Sequence, residues 1–324
     1  MRETNNLSLF IHVFAGVENP TMSAKHIIKP PGLVKGDLIG VVSPAGPIEE
    51  SDLKAGLKVL EQAGFLFRTA PHILDRIGYL AGKDEDRLAD FNAMFEDNEI
   101  KAVFCGRGGY GSMRLLEKIR YDLIAKNPKI LAGYSDITAI LTAVYVKTGL
   151  ITFHGPMVRG LALTDQANLT SLLGLLTPDG PIEMDLSACQ ILIPGKAAGP
   201  LVGGNLSLIS HLLGTPFMPS LRGCILFMED TNEPLYRIDR MLTHLSLAGV
   251  LNGIAGIIAG DFDGCSDTSL LNVLLTDIAS ALNVPLIAGF PVGHGDRNIA
   301  LPIGMTALLD TDLMTLTIKE SCVL

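Results

Sequence analysis

Short apolar runs alternate with amphipathic segments along the chain from residue 37 onward. Leu38 to Val42 and Ala102 to Cys105 are apolar runs of the length of a buried strand. Leu53, Leu57 and Leu60 recur at the spacing of one helix face. Strands that alternate with helices predict repeated βα units around a parallel sheet. We therefore expect an α/β fold.

The pattern divides the chain into two domains and their flanking segments. Two domains are expected because the chain has 324 residues, and a domain usually has about 150. Residues 1–31 are predicted to be a disordered N-terminal extension, and residues 32–155 an N-terminal α/β domain. Residues 156–198 are rich in Gly, Pro, Thr and Asp with weak periodicity, which is typical of an interdomain connection. The alternation resumes over residues 199–324, which we assign to a C-terminal domain.

The N-terminal segment and the cysteines favour a cytoplasmic location. Leu7 to Val17 is an apolar stretch of eleven residues, shorter than the ~20 that cross a bilayer. No A-x-A cleavage site follows it, which favours an unstructured start over a weak signal peptide. The five cysteines form no CxxC pair, so neither a disulfide framework nor a structural zinc site is expected.

Charge and aromatic content exclude several classes of partner. The chain has 25 basic and 34 acidic residues, a net charge of -9 and no long basic run. Nucleic acid is therefore not an expected partner, because binding to phosphates relies on clustered Lys and Arg. Trp is absent and aromatic residues make up 6%, which leaves little for a base-stacking surface. No membrane partner is expected either.

A metal site and a cofactor are likewise not expected. The sequence has no H-E-x-x-H motif, which would place two histidines on one helix face around zinc. The segment from Asp261 to Gly264 resembles the start of a calcium loop but lacks the glycine and the glutamate required further on.

A glycine-rich turn follows one predicted strand. Gly106, Gly108 and Gly111 have the G-x-G-x-x-G spacing of dinucleotide-binding turns, but no acidic residue ends the next strand, where such sites bind the ribose. A tight turn chosen for close packing is a second interpretation. We favour a third, in which bare glycine amides approach a ligand and donate N–H groups to a developing anion.

Ser135 lies in Gly133-Tyr134-Ser135-Asp136, between a predicted strand and a predicted helix. Nucleophile elbows have this arrangement, and the N–H of Asp136 at the helix start would point toward an oxyanion. The pattern differs from G-x-S-x-G, so an N-cap serine is the alternative.

A serine nucleophile requires a base and a carboxylate that orients the base. His294 lies in a glycine-flanked turn, and Glu229 ends an apolar run, at the strand end where α/β proteins bind ligands. Glu233 is a rival acid beside Pro234. His154 also ends a strand, and we interpret it as a core-edge residue rather than a substrate contact.

These motifs occur in an order that closely resembles the LD-carboxypeptidase family of serine peptidases, which includes muramoyl-tetrapeptide carboxypeptidases and microcin C immunity hydrolases. The resemblance runs from about Gly32 to Asp310. It rests on Ala81 to Asp84 with Arg87, Arg107 to Gly111, Gly133 to Thr138, Gly203 to Leu206, Leu226 to Asp230, Tyr236 to Arg240, and Gly293 with His294.

The resemblance implies a flavodoxin-like or Rossmann-like N-terminal domain, a C-terminal mixed α/β domain, and an active site at their interface. Ser135 would be the nucleophile, His294 the base and Glu229 the orienting carboxylate. The implied reaction removes the terminal D-alanine from murein tetrapeptide, by cleavage of an amide between an L and a D centre, during cell-wall recycling in the cytoplasm.

The resemblance also implies how the substrate is held. The N–H groups of Asp136 and of Gly108 or Gly109 would bind the oxyanion. A carboxypeptidase must also recognise a terminal carboxylate, and our own hypothesis is that Arg107 or the glycine amides do so, because arginine offers a bidentate fork and the loop offers donors. Family members are commonly dimers, so a homodimer is the expected assembly. Two alternatives stay open, hydrolysis of an aminoacyl-nucleotide antibiotic as in microcin immunity, and non-catalytic binding of a phosphate or nucleotide.

Overall fold

The computed structural model describes residues 27–163, 166–177, 180–265, 267–295 and 297–324. The strands are β1 (Leu38–Val42), β2 (Leu66–Thr69), β3 (Ile100–Cys105), β4 (Ile130–Gly133), β5 (Thr152–His154), β6 (Ile182–Asp185), β7 (Gln190–Ile193), β8 (Lys196–Asn205), β9 (Ile225–Thr231), β10 (Gly256–Asp263), β11 (Leu286–Ala288), β12 (Leu301–Ile303), β13 (Thr306–Asp310) and β14 (Thr315–Ile318). The α-helices are α1 (Glu50–Gln62), α2 (Asp84–Glu96), α3 (Tyr121–Lys126), α4 (Thr138–Thr148), α5 (Val158–Leu161), α6 (Gln166–Leu176), α7 (Leu206–His211), α8 (Leu235–Leu247) and α9 (Thr268–Leu282).

The first sheet confirms the predicted parallel α/β domain. Its strand order is β12-β5-β4-β3-β1-β2, and the strands from β1 to β5 are mutually parallel. The order 2-1-3-4-5 is that of flavodoxin-like folds, whose ligand crevice opens where the order reverses, between β1 and β3. The turn after β3 is the glycine-rich turn, so this turn lies at the expected crevice.

The second sheet is mixed and has the order β6-β14-β13-β8-β9-β10-β11-β7. Its central strands, from β8 to β11, are parallel, and the flanking strands are antiparallel. Glu229 lies near the C-terminal end of β9, in the middle of this sheet. The α/β fold with a mixed second sheet is therefore as predicted.

Helix α4 packs against both sheets. Every residue from Thr138 to Val144 is buried, as expected for a helix that is apolar on all sides. It packs against β4 and β5 of the first sheet and against β8 of the second. Helix α1, in contrast, buries one face through Leu53, Leu57 and Leu60. Among the described residues, no helix is both long and apolar enough to cross a membrane.

The segment predicted as an interdomain connection contains secondary structure. The expected connection over residues 156–198 contains α5, α6, β6, β7 and the start of β8, and β6 and β7 are the two edge strands of the second sheet. Short, half-exposed edge strands carry little periodicity, which explains the misleading pattern. A strand of the C-terminal part, β12, also pairs with β5 in the first sheet.

The expected disordered extension over residues 1–31 does not hold for its last residues. Ile28 forms a bridge with Leu150, and Lys29 forms an ion pair with Glu320 at 2.7 Å. The N–H of Leu324 donates to the carbonyl of Pro30 at 2.9 Å. Residues 1–26, including the apolar stretch from Leu7, lie outside the described residues.

Candidate active site

Ser135 lies at the turn between β4 and α4 in a strained backbone conformation. Its φ is +62°, in the left-handed region that residues with a side chain rarely adopt. A short 3-10 helix, Ser135–Ile137, begins here and leads into α4. The last residue of β4, Gly133, leaves no room for a side chain, because a Cβ there would lie 2.8 Å from the Ile137 side chain. A half-buried serine on such a turn has the geometry of a nucleophile elbow.

Glu229 and His294 form a hydrogen-bonded pair. Nδ1 of His294 lies 2.6 Å from Oε2 of Glu229, and the Glu229 side chain is fully buried. Gly293 has φ +131°, and a Cβ there would lie 2.9 Å from Cβ of Glu229. The glycine therefore lets the histidine loop approach the end of β9 closely enough for the pair to form.

Burial and charge act in opposite directions on this pair. Burial raises the pKa of the Glu229 carboxyl, and the hydrogen bond with His294 opposes the rise. Burial also disfavours the charged form of His294, but the hydrogen bond with Glu229 and the nearby carboxylates outweigh it, so the pKa of His294 lies above its ordinary value of 6.5. Nδ1 donates to the carboxylate, so Nε2 is the nitrogen that can accept a proton from a substrate or nucleophile.

The structure brings the Ser135 turn and the Glu229–His294 pair to one place between the sheets. The rings of Tyr134 and His294 lie 4.9 Å apart, centroid to centroid. On the other side of the turn, the N–H of Asn205 donates to Oγ1 of Thr138 at 3.1 Å. In the part of the chain that the structure describes, no hydrogen bond joins Ser135 to His294.

The glycine-rich turn packs directly on the serine. A Cβ on Gly108 would lie 2.8 Å from Cβ and 3.0 Å from Oγ of Ser135, so only glycine fits there. The N–H of Gly46, after β1, donates to the carbonyl of Gly108 at 2.8 Å. Gly109 has φ +100°. This close approach places bare backbone against the proposed nucleophile, and it is also the packing that a tight turn requires.

Arg107 and Asp136 flank the serine at different depths. Arg107 is partly exposed, and its Nη1 donates to the carbonyl of Pro47 at 2.9 Å. Asp136 is buried, and its carboxylate accepts the N–H of Ser112 at 2.8 Å. Burial raises the pKa of Asp136, against the hydrogen bonds from Ser112.

A second carboxylate beside Glu229 was not predicted. Asp230 is buried and accepts hydrogen bonds from Nδ2 of Asn205 at 3.0 Å and from Oγ of Ser207 at 2.8 Å. Its negative charge contributes to the raised pKa of His294. The one signal in the sequence is the acidic pair Glu229-Asp230 near the end of β9, and spacing alone does not show which of the two acids faces His294.

Two rival residues take other roles. Glu233 pairs with Arg237 at 3.4 Å, whereas the carboxylate that pairs with His294 is that of Glu229. His154 is fully buried, and burial lowers the pKa of its ring to about 3. Its ring packs edge-on against Tyr134 and Phe227. The interpretation of His154 as a core-edge histidine therefore agrees with the structure.

One cluster of possible metal ligands occurs among the described residues, away from this set. Ligand atoms of His72, Asp75 and Asp86 lie within 4.8 Å of one another. Nδ1 of His72 forms a hydrogen bond with Oδ1 of Asp90 at 3.0 Å. None of these side chains belongs to the Ser135 site.

Comparison with known proteins identifies the family. Residues 39–155 match the model of the LD-carboxypeptidase N-terminal domain, and residues 198–309 match that of the LD-carboxypeptidase C-terminal domain. A probable murein peptide carboxypeptidase of Bacillus subtilis is 43% identical over 300 residues, covering 90% of this chain and 94% of that protein. The chain belongs to the LD-carboxypeptidase family. This LD-carboxypeptidase is a hydrolase of the serine carboxypeptidase type.

Further relatives of this LD-carboxypeptidase have two kinds of name. The murein tetrapeptide carboxypeptidase of Pseudomonas aeruginosa is 34% identical over 285 residues, covering 84% of this chain and 92% of that protein. A solved structure of MccF in complex with glutamyl sulfamoyl guanosine has a TM-score of 0.86 and 26% identity, covering 91% of this chain and 99% of that one.

Proposed function

We propose that this LD-carboxypeptidase removes the terminal D-alanine from murein tetrapeptide, with Ser135, His294 and Glu229 as its catalytic triad. The observation that carries the proposal is the meeting of a strained serine turn with a buried carboxylate–imidazole pair between the two sheets. The names of the relatives, murein peptide and murein tetrapeptide carboxypeptidase, support the choice of substrate.

In the first step, Nε2 of His294 takes the proton of the Ser135 hydroxyl as Oγ attacks the scissile carbonyl. Glu229 holds the ring through Nδ1 and stabilises the imidazolium that forms. The C–N bond then breaks, His294 gives its proton to the leaving amine, and D-alanine departs. Water, deprotonated by His294, attacks the ester that remains on Ser135 and releases the shortened peptide.

The negative oxygen of each tetrahedral intermediate requires donors at fixed positions. The N–H of Asp136 and that of Gly108 or Gly109 supply them, because Gly108 contacts Ser135 and Asp136 follows it in the chain. Such donors stabilise the transition state most when they are set before the reaction begins.

The direct test is incubation of the purified protein with murein tetrapeptide, followed by mass spectrometry. We expect release of D-alanine and accumulation of the tripeptide. Intact tetrapeptide after prolonged incubation, from a folded protein, would contradict the proposed function.

Arg107 is proposed to bind the terminal carboxylate of the substrate, since a partly exposed guanidinium beside the glycine turn offers a bidentate partner. Arg107→Ala should lower kcat/KM for the free-acid tetrapeptide by about 100-fold, as expected for loss of a charge-assisted bidentate pair. For the C-terminal amide of the same peptide, the same substitution should lower kcat/KM much less. Equal losses on both substrates would rule out this role.

Hydrolysis of an aminoacyl-nucleotide is the second candidate, favoured by the likeness to MccF with its bound sulfamoyl nucleoside. The two candidates are separated by assaying both substrates side by side. A kcat/KM for an aminoacyl sulfamoyl nucleoside above that for the tetrapeptide would favour this candidate.

We further propose that the protein acts in the cytoplasm as a homodimer. Its cysteines are all unpaired, which suits a reducing compartment, and the dimer rests on the family resemblance. Light scattering of the purified protein at micromolar concentration measures the assembly directly, and a monomer mass would contradict it.

A further inference from the structure

The proposed oxyanion hole draws its two donors from different turns of the chain. Asp136 belongs to the turn after β4, and Gly108 and Gly109 belong to the turn after β3. A donor that moves by a fraction of an ångström loses much of its effect on a developing charge. The hole therefore needs a connection that fixes one turn against the other.

Ser112 and Asp136 provide a two-bond connection between these turns. The N–H of Ser112 donates to Oδ2 of Asp136 at 2.8 Å, and Oγ of Ser112 donates to the backbone carbonyl of Asp136 at 2.5 Å. Ser112 is fully buried and Asp136 is 3% exposed. Buried hydrogen bonds of this kind do not exchange with water and hold their partners rigidly.

The buried side chain of Arg87 stabilises the turns after β1 and β3 through hydrogen bonds to their backbone. Its side chain is 1% exposed, and its Nη1 donates to the carbonyl of Gly111, immediately before Ser112, at 3.1 Å and to the carbonyl of Pro44. Its Nη2 pairs with Asp84 at 2.6 Å. The positive charge of Arg87 also favours the ionised form of Asp136. The turns after β1, β3 and β4 are thus tied to one buried guanidinium, directly or through Ser112.

We propose that Ser112 and the Asp136 side chain are positioning residues that clamp the glycine turn to the nucleophile turn and so set the spacing of the two oxyanion donors. The inference rests on the proposed function. Neither side chain contacts the substrate in this role. Their effect reaches the reaction through the backbone N–H groups that they hold.

Ser112→Ala tests the clamp by removing a single oxygen. The variant loses the bond to the Asp136 carbonyl and keeps the backbone N–H bond to the carboxylate. We expect kcat on murein tetrapeptide to fall about tenfold, less than the 10²–10³ typical of complete loss of a donor. KM should stay within about twofold, because the ground-state carbonyl needs the hole less than the tetrahedral oxyanion does.

The inhibition constant of a boronic acid analogue of the substrate provides a second measurement, one that would not change if Ser112 had a purely structural role. Oγ of Ser135 adds to boron, its proton passes to His294, and the resulting tetrahedral anion occupies the hole. The inhibition constant should rise about tenfold in Ser112→Ala, in parallel with kcat. The affinity for the tripeptide product should be unchanged.

Thr152→Val is the matched control. Thr152 is fully buried, and its Oγ1 donates to the carbonyl of Leu141 at 3.2 Å, so the variant also removes a buried hydroxyl-to-backbone bond. We expect a comparable fall in Tm with kcat and boronate affinity unchanged. Equal losses of kcat in both variants, or a raised KM at unchanged kcat in Ser112→Ala, would overturn the clamp.

Asp136 provides the second pair of variants. Asp136→Ala removes the acceptor for the Ser112 N–H and should lower kcat more than Ser112→Ala does. Asp136→Asn keeps an oxygen acceptor and should restore most of the loss. If Asp136→Ala fails to fold, the measurements on Ser112→Ala still test the clamp. Should the wild type release no D-alanine, the proposed function fails, while boronate binding by Ser135 still tests the clamp.

Discussion

Ser135→Ala is expected to abolish D-alanine release, with kcat reduced by about 10⁵–10⁶ as in other serine peptidases that lose their nucleophile. The reason is chemical rather than structural, because Ser135 lies at a strained turn against Gly108 and the residue before it, Tyr134, contacts the His294 ring. Initial rates by mass spectrometry or coupled D-amino acid oxidation measure the loss.

Binding and stability provide the control for this variant. Alanine at φ +62° carries the same backbone cost as serine, so Tm should change little. The affinity for the tripeptide product, measured by calorimetry, should stay within a few-fold of wild type. A Ser135→Ala protein that retains more than a few per cent of wild-type kcat would assign the nucleophile to another group.

Glu229→Gln is expected to lower kcat about 10³–10⁴-fold, since an amide in place of the orienting carboxylate favours the wrong histidine tautomer. The variant should also change the pH profile. His294 must be neutral to accept the serine proton, so wild-type kcat/KM should fall as pH drops through a pKa above 6.5. Without the Glu229 charge, burial dominates, and the acid limb should move to lower pH.

Glu233→Gln is the matched control for the pH profile. It removes a carboxylate four residues further along, one that pairs with Arg237 and not with His294. Its acid limb should coincide with that of the wild type. An acid limb in Glu229→Gln that is unchanged, or displaced to higher pH, would contradict the role of Glu229 as the charge that raises the histidine pKa.

The local pattern predicted those parts of the site that depend on short stretches of chain. The strand–turn–helix around Ser135 and the turn from Gly106 to Gly111 follow from apolar periodicity and glycine placement. The pairing of Glu229 with His294 was reached from residue chemistry and family resemblance, because spacing along the chain carries no information on an approach across 65 residues.

Contacts that join distant turns could not be predicted. Ser112 is one small polar residue after a glycine, and nothing in its neighbourhood indicates a bond to Asp136, 24 residues away. The secondary structure within residues 156–198 is weakly marked in the sequence for a related reason. Edge strands such as β6 and β7 gain their structure from pairing with distant strands, so their own sequence pattern is weak.

Strand β12 connects the first sheet to the loop that carries His294. The first sheet gains this edge strand from residues 301–303, which pair with β5 about 150 positions earlier. Without β12, the edge of β5 would be open to other strands, and such edges promote aggregation. The same closure anchors the loop that carries His294, seven residues before β12. We therefore expect closure of the first sheet and placement of the proposed base to depend on the same pairing of β12 with β5.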